Sequence, residues 1–279
     1  MTEMDQLKSG IIEAVEKVRS ANPLAGSVTN GVTMDFVANA QLAVGGSAAM
    51  VYLPDEGEFL VAAGGAVYLN MGTLLPIYQE TVPRTAAAAF SNGKPWVLDP
   101  VGIGIGQLRT DLLQELKQYK PSIVRGNASE IIALASLWGI ETNACESSRP
   151  RGVDSTDTVE SARDAAIALA RFTGGAVAVS GKKDLVTDGE RVAFSEGGSE
   201  LMEKVTGFGC SQGGVLAVYA TATDPFTAAL AAVAHYNVAG SRAAEIAGAP
   251  ASFKAAFIDE LYRATAQDIA GNPCSVEEA

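Results

Sequence analysis

The chain has 279 residues, of which 48% are hydrophobic and only 6% aromatic, and 32 acidic against 20 basic residues give a formal net charge of −12. Length and apolar content allow a sizeable core built from Ala, Val, Leu and Ile, as one large domain or two small ones. The acidic balance excludes a general nucleic-acid or anionic-membrane surface, so any anion must be held by a few local cations and backbone N–H groups.

Met4, Leu7, Ile11, Val15 and Val18 recur at intervals of three and four and predict an amphipathic helix over 4–18. After Pro23 the chain runs through Ser27-Val28-Thr29-Asn30-Gly31 to a second helix over 35–43. Short apolar runs bounded by turn residues read as strands at 47–53, 66–70, 96–98, 121–125 and 175–180. Helix-like stretches at 55–63, 80–91, 107–118, 128–138 and 158–172 alternate with them, the pattern of βαβ units and a mainly parallel sheet. Residues 184–187 and 191–194, joined through Asp188-Gly189-Glu190, read as an antiparallel hairpin at the sheet edge. In the last third, Asp224-Pro225 starts a long Ala-rich helix, and Ser252 is placed to cap a last helix carrying Phe253, Phe257, Ile258 and Leu261. No linker, repeat or low-complexity tract interrupts the chain, so a single α/β domain over 1–279 is expected.

Cys145, Cys210 and Cys274 match neither a disulfide framework nor a zinc spacing. Met1-Thr2-Glu3-Met4-Asp5 lacks the basic and apolar regions of a signal peptide. No run of about 18 strongly apolar residues predicts a membrane span, and a cytoplasmic location is expected.

Ligands of open parallel sheets bind beyond the carboxyl ends of the strands. Those ends deliver Met50, Asn70, Asp99, Arg125 and Ser180 to one edge. Asp99 and Glu130 are hard oxygen ligands suited to Mg2+ or its waters, and Arg125 suits phosphate oxygens. Asn127 and Glu130, three apart at a helix start, also fit mutual capping. Lys204-Val205-Thr206-Gly207-Phe208-Gly209-Cys210 leads into a small-residue helix, which presents free N–H groups and a positive helix end to an anion beside Cys210. The same placement predicts a thiolate at Cys210; the alternative is a small cysteine packed under the helix. Gly102-Ile103-Gly104-Ile105-Gly106 falls one residue short of the dinucleotide fingerprint, and no Walker-type phosphate loop occurs. His235, the sole histidine, lies in the Ala-rich helix and reads as packing or surface, which leaves no Ser-His-Asp hydrolase to build.

Taken together, these blocks resemble the hydroxyethylthiazole kinases of thiamine salvage, in the ribokinase-like superfamily. The resemblance covers nearly the whole chain, from Pro23-Leu24 and Val28-Thr29-Asn30 through Ala38-Asn39-Ala40, Leu69-Asn70-Met71-Gly72, Leu98-Asp99-Pro100-Val101-Gly102 and Arg109-Thr110. It continues through Arg125-Gly126-Asn127-Ala128-Ser129-Glu130, Gly152-Val153-Asp154-Ser155 and Val186-Thr187-Asp188-Gly189 to the last blocks, Lys204 to Cys210 and Ser252 to Asp259. It implies a three-layer ribokinase-like α/β fold with helices on both faces of a mainly parallel sheet. It also implies transfer of the ATP γ-phosphate, with Mg2+, to the hydroxyl of hydroxyethylthiazole. By that resemblance Met50 and Gly207 contact the alcohol and Arg125 and Ser180 the nucleotide; Asn30 is expected on the alcohol side and Gly209 and Asn127 on the nucleotide side. Asp99 and Glu130 serve the metal, and Cys210 stands where related kinases carry an aspartate base. A homotrimer with active sites between subunits is implied as well. The chain departs from the family pattern at Gly26, Gly31, Asp35 and Phe208. Gly26 and Gly31 suggest a reshaped pocket and Phe208 added bulk beside the anion loop. A kinase for another small heteroaromatic alcohol and a non-catalytic thiazole- or nucleotide-binding relative therefore stay open.

Overall fold

The computed structural model describes residues 2–142 and 158–279. Cys145 and the 152–155 block lie outside them. In chain order the elements begin with α1 (Glu3–Ala21), β1 (Leu24–Val28), α2 (Met34–Ala43), β2 (Ser47–Met50), α3 (Pro54–Ala63) and β3 (Ala66–Asn70). There follow α4 (Tyr78–Ser91), β4 (Trp96–Asp99), α5 (Gln107–Leu116), β5 (Ile123–Asn127), α6 (Ala128–Leu137), α7 (Arg163–Thr173) and β6 (Ala176–Ser180). The chain then forms β7 (Asp184–Thr187), β8 (Arg191–Ser195), α8 (Phe208–Ala220), α9 (Pro225–Ile246), α10 (Pro250–Arg263), α11 (Ala266–Ala270) and β9 (Cys274–Glu278).

Among the described residues one sheet of nine strands runs in the order β2-β1-β3-β4-β5-β6-β7-β8-β9. The pairs from β2 through β6 are parallel, and those from β6 through β9 antiparallel. Each strand is read by alternation. On β3, Ala66 and Tyr68 enter a core shared with α1, α2 and α8–α10, whereas Val67 and Leu69 enter a second core under α3–α7. Helices thus cover both faces, giving the three layers expected.

α8 lies close on the first face because it is built from small residues. A Cβ on Gly213 would stand 2.6 Å from Tyr68 Oη. Helix starts follow the sequence signals: Asp224 Oδ1 accepts from Phe226 and Thr227 N–H, both at 3.1 Å, and caps α9. The glycines at 102, 104 and 106 all take positive φ, of 69°, 90° and 80°, and form a loop between β4 and α5. No dinucleotide turn exists there; the alternate glycines serve left-handed backbone.

Four expectations need correction. Leu24-Ala25-Gly26-Ser27-Val28 is poor in β-branched residues and carries no strand signal, yet it forms an interior strand, β1, held by both neighbours. The hairpin is real but is not the edge: β9 pairs outside β8. Ser252 does not cap α10, whose N-cap is Ala249; the Ser252 hydroxyl donates to Ala249 O at 3.0 Å. Nor is α10 the last helix, since α11 follows it. His235 is fully buried and its pKa is pushed down to about 3 by burial. Its Nε2 meets Leu261 O at 2.8 Å and must carry the proton, leaving Nδ1 to accept from Tyr219 Oη at 2.8 Å. It is a packing residue.

Candidate active site

Parallel strands bring their carboxyl ends level. Asn70 pairs in register with Asp99, Asn127 with Ser180, and Ser27 with Met50. Gly207, in the left-handed region at φ 98°, caps α8 so that its first turn arrives at this edge. The predicted residues of β3, β4, β5 and β6 therefore meet the starts of α6 and α8 here.

Asp99 is the centre. It is completely buried, and its Oδ2 accepts from Tyr68 Oη at 2.8 Å and Asn70 Nδ2 at 3.2 Å. Its Oδ1 lies 3.6 Å from Arg125 Nη1 and accepts no hydrogen bond. Arg125 is held on two further sides, by Ser180 Oγ at 2.7 Å from Nη2 and by Gln212 Oε1 at 3.3 Å from Nε. Its guanidinium lies directly under the first turn of α8. A Cβ on Gly209 would stand 2.7 Å from Arg125 Cζ, so only glycine fits there. The result is a fixed positive charge beneath a helix end that is itself positive.

Asn127 and Glu130 form a reciprocal capping box at the start of α6: Asn127 N–H donates to Glu130 Oε2 and Glu130 N–H to Asn127 Oδ1, both at 2.9 Å. Glu130 Oε1 also accepts from Gly102 N–H at 3.3 Å. The structural role weighed for this pair is present. Burial raises the pKa of the Glu130 carboxyl, and the neighbouring Asp99 charge adds to the rise while Arg125 opposes it. Asp99 is likewise pushed up by burial, against the pull of Arg125.

Asn30, just past β1, donates from Nδ2 to Asn70 Oδ1 at 2.9 Å and lies 3.6 Å from Cys210 Sγ. An amide chain so links Cys210 to Asp99 through Asn30 and Asn70. The thiolate expected at Cys210 is disfavoured: burial and the Asp99 charge raise the thiol's pKa, against the pull of Arg125. Met50 is half-buried at the end of β2, packed against the first core.

The departures from the family pattern land elsewhere than expected. Gly26 faces Leu60 of α3, whose Cδ1 would be 2.7 Å from its Cβ, so it seats a helix rather than enlarging a pocket. Asp35 is exposed on α2 and accepts from Asn39 Nδ2 at 2.9 Å. Gly31 is exposed and open, with only Tyr52 Oη 3.7 Å from its would-be Cβ. Phe208 adds no bulk to the anion loop; it turns inward, with ring centroids 4.9 Å from Phe36 and 4.6 Å from Phe257 in edge-on contact. Phe208→Thr is therefore expected to leave a hole in this aromatic cluster and cost about 3 kcal/mol. A melting temperature equal to that of the wild type would return the ring to the loop.

Tyr68 and Gln212, which orient Asp99 and Arg125, were missed in the sequence. Tyr68 shares a strand face with Asn70 two residues on, so alternation alone places both beside Asp99. Gln212 carried no such signal, because its partner comes from a different element.

The sequence profile of the hydroxyethylthiazole kinase family matches residues 15–267. A hydroxyethylthiazole kinase of Bifidobacterium longum is 47% identical over 288 residues, covering 97% of this chain and 92% of the relative. The chain belongs to the hydroxyethylthiazole kinase family. The solved structure of the hydroxyethylthiazole kinase protein from Pyrococcus horikoshii superposes with a TM-score of 0.85 at 32% identity, covering 97% of this chain and 99% of that one. A ribokinase-like superfamily protein from Enterococcus faecalis, at 12% identity and a TM-score of 0.59, covers 92% of this chain and 88% of its own, and shares the fold. The ribokinase-like architecture and the kinase class expected of this family hold. Among the described residues, no helix is long and apolar enough to cross a membrane.

Proposed function

We propose that the chain, as one kinase domain over 1–279, transfers the γ-phosphoryl group of ATP to the hydroxyl of hydroxyethylthiazole. The observation that carries this reading is the buried Arg125–Asp99 pair lying under the α8 end that bears Cys210. Phosphoryl transfer asks for positioning and charge neutralisation more than for covalent chemistry. Arg125, Ser180, Asn127 and the Gly209 backbone make the nucleotide side, and Met50, Asn30 and Gly207 the alcohol side. The alcohol oxygen bonds to the γ-phosphorus as the bond to the bridging oxygen of ADP breaks. The alcohol proton passes to the thiolate form of Cys210.

Among the described residues no three His, Cys, Asp or Glu gather into a metal cage. Two carboxylates are enough for Mg2+, which keeps several waters and binds phosphate oxygens. The fit is supported by Asp99 Oδ1, which is buried and without a hydrogen-bond partner. Asp99 and Glu130 would hold the ion, which when bound neutralises charge on the phosphates. The family resemblance supports a homotrimer with active sites between subunits, and a cytoplasmic location is proposed with it.

The test is ADP release against a panel of heteroaromatic alcohols, with the phosphorylated product identified. The highest kcat/KM is expected for hydroxyethylthiazole. A higher value for another alcohol replaces the substrate, and no turnover with any of them removes the catalytic reading.

A further inference from the structure

Two buried hydroxyls beyond the end of β1, Thr29 Oγ1 and Thr33 Oγ1, have no hydrogen-bond partner. A buried polar group left unmade costs on the order of 1–3 kcal/mol, and such groups are ordinarily paired. Two of them within one short segment call for a cause.

Thr33 is the more telling. It is the N-cap residue of α2, where a threonine hydroxyl ordinarily accepts a bond from the first turn. Here φ −117° and ψ 0° depart from the extended N-cap geometry, and no cap bond forms. The residue is 5% exposed. Its backbone N–H is secured by Asn30 Oδ1 at 3.2 Å, and its Cγ2 packs over Gly207, 2.9 Å from where a Cβ would stand. The hydroxyl lies beside Cys210, where it opposes the rise in the thiol's pKa. Backbone and methyl are fixed, and between the α2 and α8 starts the hydroxyl has the Cys210 thiol as its polar neighbour, with no well-formed bond to it.

We propose that Thr33 Oγ1 hydrogen-bonds the hydroxyl of the acceptor alcohol beside Cys210, which makes Thr33 a substrate-binding and specificity-determining residue. The inference rests on the alcohol-kinase reading above. An alcohol oxygen can donate and accept at once. Thr33 gives its O–H to that oxygen, and the alcohol O–H turns toward Cys210 Sγ. A ligand without the hydroxyl leaves Thr33 as unpaired as it is in the free protein, so the site selects for the reacting group itself.

The test compares binding of hydroxyethylthiazole with that of the same thiazole bearing a plain ethyl group. Calorimetry is run on the wild type, Thr33→Val and Thr33→Ser, with steady-state kinetics alongside. The wild type is expected to favour the alcohol by about 10-fold, as one hydrogen bond allows. Thr33→Val is expected to abolish most of that preference and to raise KM for the alcohol about 3- to 10-fold, with KM for ATP unchanged. Thr33→Ser keeps the preference. A folded Thr33→Val that retains the full wild-type preference and KM overturns the proposal while the activity stands. A wild type that neither binds nor phosphorylates hydroxyethylthiazole overturns the substrate reading, and the role of Thr33 toward that alcohol falls with it.

Discussion

Arg125→Ala is expected to remove nucleotide use and a large part of the stability together. The guanidinium is the positive charge facing Asp99 Oδ1 at 3.6 Å, inside a site where Asp99 and Glu130 are both buried. Breaking a buried pair by deleting one partner costs about 3–5 kcal/mol, because the remaining charge is left uncompensated. In a chain of this size that is a fall of roughly 10 °C in melting temperature. The loss has a pH signature. Burial already holds both carboxyls above their ordinary values, and without Arg125 they rise further. A carboxyl whose folded pKa is raised binds protons more tightly in the folded state, so its contribution is fullest at low pH and is lost as pH climbs through the folded value. Arg125→Ala should accordingly be least impaired in acid. Pairing it with Asp99→Asn should restore much of the stability near neutrality and none of the activity. KM for ATP should rise by about 10- to 150-fold wherever the protein stays folded, the range of a lost charge-assisted bond. Thermal melts across pH and ATP titrations check both halves; a flat pH dependence would remove the charge argument.

Cys210→Ala is expected to lower kcat by roughly 10²–10⁴-fold, the usual reach of general-base help, while ATP affinity stays near that of the wild type. Because burial and Asp99 keep the thiol protonated, wild-type activity should climb with pH into the alkaline range. Cys210→Asp should remain active and shift that climb toward acid, since a carboxylate gives up its proton far sooner than a thiol. Equal kcat for wild type and Cys210→Ala would leave Cys210 as a packing residue and the loop as a phosphate cradle.

Much of this site could be read from the sequence, for a physical reason. Strand ends in a parallel sheet are fixed in register, so naming the strands names their last residues, and Asn70, Asp99 and Ser180 follow. Arg125 lies two residues inside the end of β5 and still reaches the site because it is long. β1 escaped notice because its environment, not its composition, makes it a strand. The direction of Phe208 was illegible for a related reason. The first residue of a helix can face a loop or a core, and only Phe36 and Phe257, brought by two other helices, decide which. The charge state of Cys210 needed the burial and the Asp99 neighbour that no local pattern shows.

The strand order reverses between β1 and β3, where Asn30 meets Asn70. From that point the chain after β1 departs into α2 on the first face, and the chain after β3 into α4 on the second. The proposed alcohol-side residues Asn30 and Thr33 thus sit on a stretch that leaves the sheet on the face opposite α5 and α6, the helices that follow β4 and β5. Asp99 and Arg125 lie on β4 and β5 themselves, and Glu130 in the first turn of α6, which follows β5 directly. On the proposed reading the two sides come from different segments but are tied together, since Asn30 bonds Asn70, which bonds Asp99, and Met50 and Gly207 of the alcohol side lie on β2 and before α8. A change that displaces Asn30 is therefore expected to reach Asp99, whereas a side chain added at the open Gly31 meets only Tyr52 Oη.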